Sequence, residues 1–412
     1  MSDSPAKSSD TRNRLWIVSE LYFPEETSTG YYMTRIAEGL AGESEVHAVS
    51  GYPNYLYKRS KAAAFETRNG VSIHRLRSTR LDKNSIPKKA LNMLTFGLSV
   101  LFFGMTRFET GDRVLVVTTP PTLPFFVSII SMLKGLKMIL LVHDTYPEIL
   151  VASGKMKKES PIFGLLQSVK NWIYKMSAGI IVVGRDMERL AREQTKGLET
   201  PIVTIPNWAE LETVQPDESR GENFRRGLGL SGKFILLYAG NMGYPNDLET
   251  IIEAADLLRD EAEIKFVFLG TGAKRQWLRN RITELALDNV ILLDPRPRED
   301  QTEFLNGCDV GIVSLVEEMK GVSVPSRTYN LLASGKPILA LVDSESEIGE
   351  LIREEEIGFL AGHNGPKNLA EKIRKISRNP ELLRQMGVKA REIAVERFNK
   401  DEALRAYRKF LG

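Results

Sequence analysis

A chain of 412 residues with 42% hydrophobic content is long enough for two cores of ordinary size and too apolar for intrinsic disorder. A formal net charge of +3 does not by itself call for a nucleic-acid partner. One cysteine, Cys308, and four histidines (His47, His74, His143, His363) leave no disulfide framework, no thiolate metal site and no His/Cys cluster with metal spacing, so the chain reads as cytoplasmic and without metal ligands.

Residues 1–14, MSDSPAKSSDTRNR, read as a polar, disordered tail, and no basic n-region with an apolar h-region marks a signal peptide. Buried-strand runs then alternate with helical stretches: Leu15–Val18, Val46–Ser50, Ile73–Leu76, Val114–Thr118, Met138–His143, Gly179–Val183 and Ile202–Ile205. Helices fall between most of them, such as Tyr31–Leu40 and Phe163–Met176. Short Val/Ile/Leu strands separated by helices imply a parallel sheet covered on both faces, wound by right-handed crossovers.

The charge is unevenly distributed. From Lys58 to Lys89 there are ten Lys or Arg against two acids, Glu66 and Asp82. The next sixteen residues, Ala90–Met105, carry no charge and are interrupted by Gly97 and Gly104. That run falls short of the roughly 20 residues a bilayer span needs. It suits either a helix lying in an anionic membrane surface or a helix packed in an α/β core behind a solvated basic loop.

A stretch rich in acids and proline, Pro206–Asn223, reads as a linker, and the alternation then restarts. Phe234–Ala239, Ile264–Leu269, Val290–Leu293, Val310–Leu315 and Ile338–Val342 predict a second doubly wound sheet. Charged-faced helix follows over Pro380–Leu411, with a break near Phe398-Asn399. The expected fold class is therefore α/β, with two doubly wound, Rossmann-like domains.

Ligands of open α/β sheets bind beyond the carboxyl ends of the strands, so strand-end residues carry the functional reading. The first strand leads to Glu25–Gly30, a small-residue loop before a helix start. The fifth ends in His143-Asp144-Thr145-Tyr146-Pro147-Glu148, which sets an imidazole and two carboxylates at one edge; Asp144 and Glu148 suit helix capping and ligand contact equally. In the second half, Ala239-Gly240-Asn241-Met242-Gly243 and Gly270-Thr271-Gly272 follow strands, with Lys274 and Arg275 next. Finally Ser323, Pro325, Ser326 and Arg327 open an apolar helix, Tyr329–Ser334, which Gly335 and Pro337 end. A turn with free N–H groups and an Arg at a helix start suits the diphosphate of a nucleotide, although a plain helix-to-strand connection fits the same residues.

Taken together, YFPEETSTG, TTPP (Thr118–Pro121), VHDTYPE, IPNWAE, YAGNMG, FLGTG and VPSRTYNLLASGKPILA resemble, in collinear order over residues 14 to 410, the retaining glycosyltransferases of family 4. The resemblance is to the bacterial polysaccharide and O-antigen branch, and it implies the GT-B architecture. It also implies a disordered tail (1–14), an acceptor domain (15–206), a nucleotide-sugar domain (207–395) and a terminal segment (396–412) crossing back to the first domain. The donor is expected to be a UDP-sugar, the product a hexose or N-acetylhexosamine joined to a lipid-linked or saccharide acceptor, with no cofactor, divalent metal or nucleic acid. Peripheral contact with the inner face of the cytoplasmic membrane is expected through Lys58–Met105.

The resemblance further implies roles for particular residues. Gly30 would approach the diphosphate, and His143 and Asp144 would line the sugar and acceptor side, with Tyr146 and Glu148 facing acceptor. Gly270 and Gly272 would let the nucleoside lie against backbone. Asn241, Gly243, Lys274, Ser326, Arg327 and Asn330 would complete the donor site, with Arg327 the principal cation.

Two departures stand out. The family's paired glutamates fall on Val322 and Asn330, and its usual Arg and Lys after the first donor-domain strand fall on Asn241 and Asn246. Compensation is expected from Glu317, Glu318 or Glu347 for the carboxylates, and from Arg327, Lys274, Arg296 or Arg298 for the cations. The losses also admit a non-catalytic nucleotide-sugar-binding scaffold. The same architecture admits a UDP-sugar epimerase.

Overall fold

The computed structural model describes residues 14–53, 62–81 and 86–412. The expected tail before Arg14, and the basic-run residues 58–61 and 82–85, lie outside the described residues. The first sheet contains β1 (Arg14–Val18), β2 (Glu45–Gly51), β3 (Phe65–Arg68), β4 (Val71–Leu76), β5 (Arg113–Val117), β6 (Lys137–Val142), β7 (Gly179–Val182) and β8 (Ile202–Thr204). Its order is β3-β4-β2-β1-β5-β6-β7-β8, with β3 antiparallel on the edge. The second contains β9 (Phe234–Ala239), β10 (Ile264–Leu269), β11 (Val290–Leu293), β12 (Val310–Ser314), β13 (Ile338–Leu341) and β14 (Gly358–Leu360). Its order is β11-β10-β9-β12-β13-β14, all parallel. This is the 3-2-1-4-5-6 winding, whose topological switch lies between β9 and β12.

Each expected strand forms; two further ones were not anticipated. β3 reads FETR, half polar and outside the buried core, but Asn69 and Gly70 turn it back onto β4 with positive φ (46° and 80°). That Asn-Gly pair is the signal in the sequence. β14 has only three residues, too few for a pattern. The linker is also shorter than expected: Asp217 caps a helix over Glu218–Gly227 through its bond from Arg220 N (2.9 Å). Only Gly221 and Phe224 of that helix are buried, so it shows no apolar period.

The chain forms two compact units. One holds the described residues up to Leu141, Ile173–Ile180 and Arg408–Gly412; the other holds Val142–Trp172 and Ile181–Tyr407. The expected boundary at 206 differs from this division, for a local reason. The segments after β6 and β7 are bonded to residues 321–347: Thr145 N–H donates to Val322 O (2.8 Å), and Gly321 N–H to Asp186 Oδ2 (2.8 Å). Arg185 N–H also donates to Glu347 (2.6 Å). The terminal helix Lys400–Leu411 ends in the first unit, where the Arg113 guanidinium donates to Leu411 O.

Within the first unit, the apolar run is part of a 22-residue helix, Ile86–Arg107, long and apolar enough by composition to cross a membrane. Gly97 and Gly104 lie seven apart, on one face. A Cβ at Gly97 would stand 2.1 Å from the Phe126 ring, and one at Gly104 2.6 Å from Ile130. The glycines therefore let this helix approach Leu123–Lys134 closely rather than interrupt it. Its other face leaves Leu91, Leu94, Leu98, Phe102 and Met105 exposed.

Candidate functional site

The site residues expected from the sequence, Gly30 excepted, all belong to the second unit. The donor-side residues gather at the carboxyl ends of β9, β10 and β12, while His143, Asp144, Tyr146 and Glu148 follow β6. β9 runs out through Gly240 (φ 143°), and β10 through Gly270 (φ 143°) and Gly272 (φ 152°). A Cβ on Gly270 would sit 2.1 Å from Gly240 O, and one on Gly272 2.5 Å from the Met242 backbone. Those glycines were expected to make room for a nucleoside. The first demand on them is internal: the two strand-end turns touch, and a side chain would part them.

Arg327 opens the helix Arg327–Ala333, two residues before the expected start at Tyr329, and Gly335 ends it in the left-handed conformation (φ 65°). The guanidinium lies over the Tyr238 ring, 4.2 Å from its centroid, an arrangement that favours a cation. Nη2 donates to Asn241 O and Asn246 Oδ1, both at 3.3 Å. Nη1 is buried and has no hydrogen-bond partner among the described residues. Asn246 also donates to Asn241 O (3.1 Å), and the Tyr238 hydroxyl donates to the same oxygen (2.6 Å). Asn241 and Asn246 thus form the seat of Arg327. A cation at either position would repel it, so the positive charge of this region has moved from the β9 turn to the helix start.

The other cations considered are neutralised. Lys274 Nζ donates to Glu249 and to Asn246 O, each 2.8 Å, and so braces the turn. Arg296 pairs with Asp300 and Glu303 (3.1 Å each), and Arg298 with Glu210. Arg327 takes part in no ion pair among the described residues.

Val322 is buried, and its carbonyl receives the Thr145 N–H. Glu347 does not replace its carboxylate, being buried and bonded by Arg185 from both backbone and side chain (2.6 and 3.1 Å). Asn330 is held within the chain as well. Its Nδ2 donates to Glu210 Oε1 (2.9 Å) and Gln301 Oε1 (2.6 Å), while its Oδ1 accepts the Glu210 N–H (2.9 Å). Both amide donors are occupied within the chain, so Asn330 has none to offer a ligand. Glu210, in the IPNWAE segment, went unnoticed because a lone Glu after a buried Trp carries no pattern.

After β6, Asp144 pairs with Ser323 in an isolated antiparallel bridge, and its Oδ1 accepts the Ser323 hydroxyl (2.6 Å). Burial pushes its pKa up, and the Ser323 bond works against that shift. His143 is half-buried as a residue, yet desolvation of its ring lowers its pKa to about 4, so the imidazole is neutral at pH 7. Tyr146 is half-buried beside them. Glu148 is bonded by Lys170 and by Gln194 Nε2 (2.8 Å), so the carboxylate is held in an internal ion pair. Ser326 precedes the helix at its N-cap without a side-chain cap bond. Gly243 closes the β9 turn, where a Cβ would meet Asn241 Nδ2 at 2.9 Å. In the first unit, Gly30 N–H donates to Thr27 Oγ1 (3.3 Å), and a Cβ there would meet Glu25 O at 2.6 Å. Its smallness is needed by its own loop.

Two Rossmann-like halves, with ligand-side residues at the switch point of the second sheet, have the architecture of the GT-B glycosyltransferases. Solved structures of that class share the fold. A sucrose-phosphate synthase from Thermosynechococcus elongatus superposes with a TM-score of 0.76 at 16% identity, covering 97% of this chain and 99% of that one. Anabaena HepE in complex with UDP gives 0.69 at 14%, with the same coverage. At the sequence level, residues 28–208 match the glycosyl transferase 4-like domain, and residues 220–393 the glycosyl transferases group 1. The probable glycosyltransferase WbjE of Pseudomonas aeruginosa is 30% identical over 88% of this chain and 89% of its own length. The putative colanic acid biosynthesis glycosyl transferase WcaI of Escherichia coli K12 is 26% identical over 94% and 96%. The chain belongs to the group 1 glycosyl transferases.

Proposed function

We propose that this protein is a retaining glycosyltransferase that takes a hexose or N-acetylhexosamine from a UDP-sugar to a lipid-linked or saccharide acceptor in envelope polysaccharide assembly. The observation that carries the donor half is Arg327, a half-buried cation whose buried Nη1 has no hydrogen-bond partner and which has no counter-ion among the described residues, seated at the carboxyl ends of the strands. Such a group stabilises the charge that develops on a departing diphosphate, without a divalent metal. The relative whose name cites colanic acid and the fold neighbour bound to UDP support the acceptor class and the donor. His143, neutral at pH 7, and Asp144, held by Ser323, supply the polar edge for the transferred sugar and acceptor hydroxyl.

The acceptor's lipid brings the protein to the cytoplasmic face of the membrane through the helix Ile86–Arg107. Leu91, Leu94, Leu98, Phe102 and Met105 recur at helical spacing on its exposed face, Phe102 being 75% exposed, and Lys88, Lys89 and Arg107 flank them. This is the arrangement of a helix lying in an anionic interface. Charge reversal at Lys88 and Lys89 is expected to weaken co-sedimentation with anionic vesicles at low salt; unchanged binding overturns the membrane contact.

The donor is tested by calorimetry and nucleotide release with UDP-, GDP-, ADP- and dTDP-sugars, with and without EDTA. Binding of a UDP-sugar and EDTA-resistant UDP release to an acceptor support the reading. Binding without turnover on any acceptor moves the protein to a scaffold, and an isomerised sugar without acceptor to an epimerase.

A further inference from the structure

We infer that Glu210 is the residue that recognises the ribose of the donor nucleotide, and that Asn330 positions it. The inference rests on the nucleotide-sugar reading above. Arg327 and Asn330 are three residues apart on one helix and so share a face, about one turn apart. In the inferred pose, the nucleoside end of a diphosphate held by Arg327 lies toward Asn330. At that point the chain offers no amide donor, since Nδ2 of Asn330 is occupied by Glu210 and Gln301.

What it offers instead is a carboxylate. Oε1 of Glu210 receives Asn330 Nδ2 and the Arg298 guanidinium. Its backbone N–H is fixed by Asn330 Oδ1 (2.9 Å), so the loop carrying it is tied to the helix from both sides. Oε2 accepts none of the hydrogen bonds found among the described residues, and the side chain keeps 10% of its surface accessible. The group is ion-paired with Arg298, and a carboxylate in such a pair acts as an acceptor only. Its complement is a hydroxyl donor, and the hydroxyls one turn from a bound diphosphate are those of the ribose. Glu210 thus takes up the carboxylate function that position 330 lacks, from a different loop.

A site built to accept from a hydroxyl rejects an analogue without it, because the polar group is then left unpaired. The purified full chain is titrated calorimetrically with UDP and 2′-deoxy-UDP, as wild type, Glu210→Gln and Glu210→Asp. Wild type is expected to prefer UDP by about 10–100-fold. Glu210→Gln should weaken UDP by a similar factor while changing 2′-deoxy-UDP little, so that the ratio approaches one; Glu210→Asp should restore part of it. Equal wild-type affinities for the two nucleotides overturn the inference without any variant, as does an unchanged ratio in a folded Glu210→Gln. Failure of wild type to bind UDP at all overturns the nucleotide-sugar reading as well, which distinguishes the two.

Discussion

Two helix starts were candidates for holding the diphosphate, and the structure treats them differently. At Thr27–Gly30 the side chain of Thr27 caps the helix by accepting the Gly30 N–H, and Gly30 is small because Glu25 O leaves no space for a Cβ. At Ser326-Arg327 the first helical residue is a half-buried cation whose buried Nη1 has no hydrogen-bond partner among the described residues. The first start is complete within its own loop. The second keeps one guanidinium nitrogen without a hydrogen-bond partner among the described residues, at a cost in stability that a bound anion would recover. A small-residue loop before a helix is therefore no sign of an anion site until its donors have been accounted for.

The sharpest way to break this comparison is at Arg327. Arg327→Ala is expected to lower kcat/KM for the UDP-sugar by about 10²–10³-fold, as removal of one charge-stabilising donor does elsewhere. Arg327→Lys should recover only part, since a point charge cannot reproduce the planar fork over Tyr238. Full activity in Arg327→Ala would remove the basis of the donor site. Next in size is Gly270→Ala, where both a 2.1 Å approach to Gly240 O and φ 143° oppose a side chain. A loss of about 3 kcal/mol or more in denaturant unfolding is expected, since a side chain is barred on both grounds.

The His143 imidazole offers a comparable effect through pH. Its folded pKa of about 4 lies below the unfolded 6.5, so the unfolded chain binds the proton more readily between those values. Stability is thus retained above pH 6.5 and lost as pH falls toward 4, by up to about 3 kcal/mol. Asp144, with its raised pKa, acts in the opposite sense over its own window, so the test is the difference between wild type and His143→Gln in urea melts at pH 7 and 4.5. An identical pH dependence in the two proteins would refute the shift. The smallest effect belongs to the other helix start. Thr27→Ala should cost about 1 kcal/mol of stability while leaving UDP affinity unchanged; a tenfold loss of affinity would put the phosphate there after all.

Much of this was legible in residue order. Runs such as Phe234–Ala239 and Ile264–Leu269 are apolar on both faces and can only be covered strands, so the two sheets follow from local pattern. The prominence of Arg327 followed from its place before an apolar helix that ends at Gly335. The membrane-facing stripe was half legible: the absence of charge from Ala90 to Met105 showed an apolar helix, but not that Gly97 and Gly104 face Phe126 and Ile130 and so leave the leucines outward.

Pairing across long separations was not legible at all. Lys274 and Arg327 look alike as cations near strand ends, yet one is neutralised by Glu249 and the other is not. Asn330 reads as a weakened ligand, but Glu210, 120 residues earlier, occupies its amide. Glu148 reads as a site carboxylate, but Lys170 holds it. Covalent neighbours determine helix, strand and turn because sterics and burial act over a few residues. Which charges remain available to a ligand is decided by partners the chain meets only when folded, since an ion pair or an occupied amide depends on distance in space.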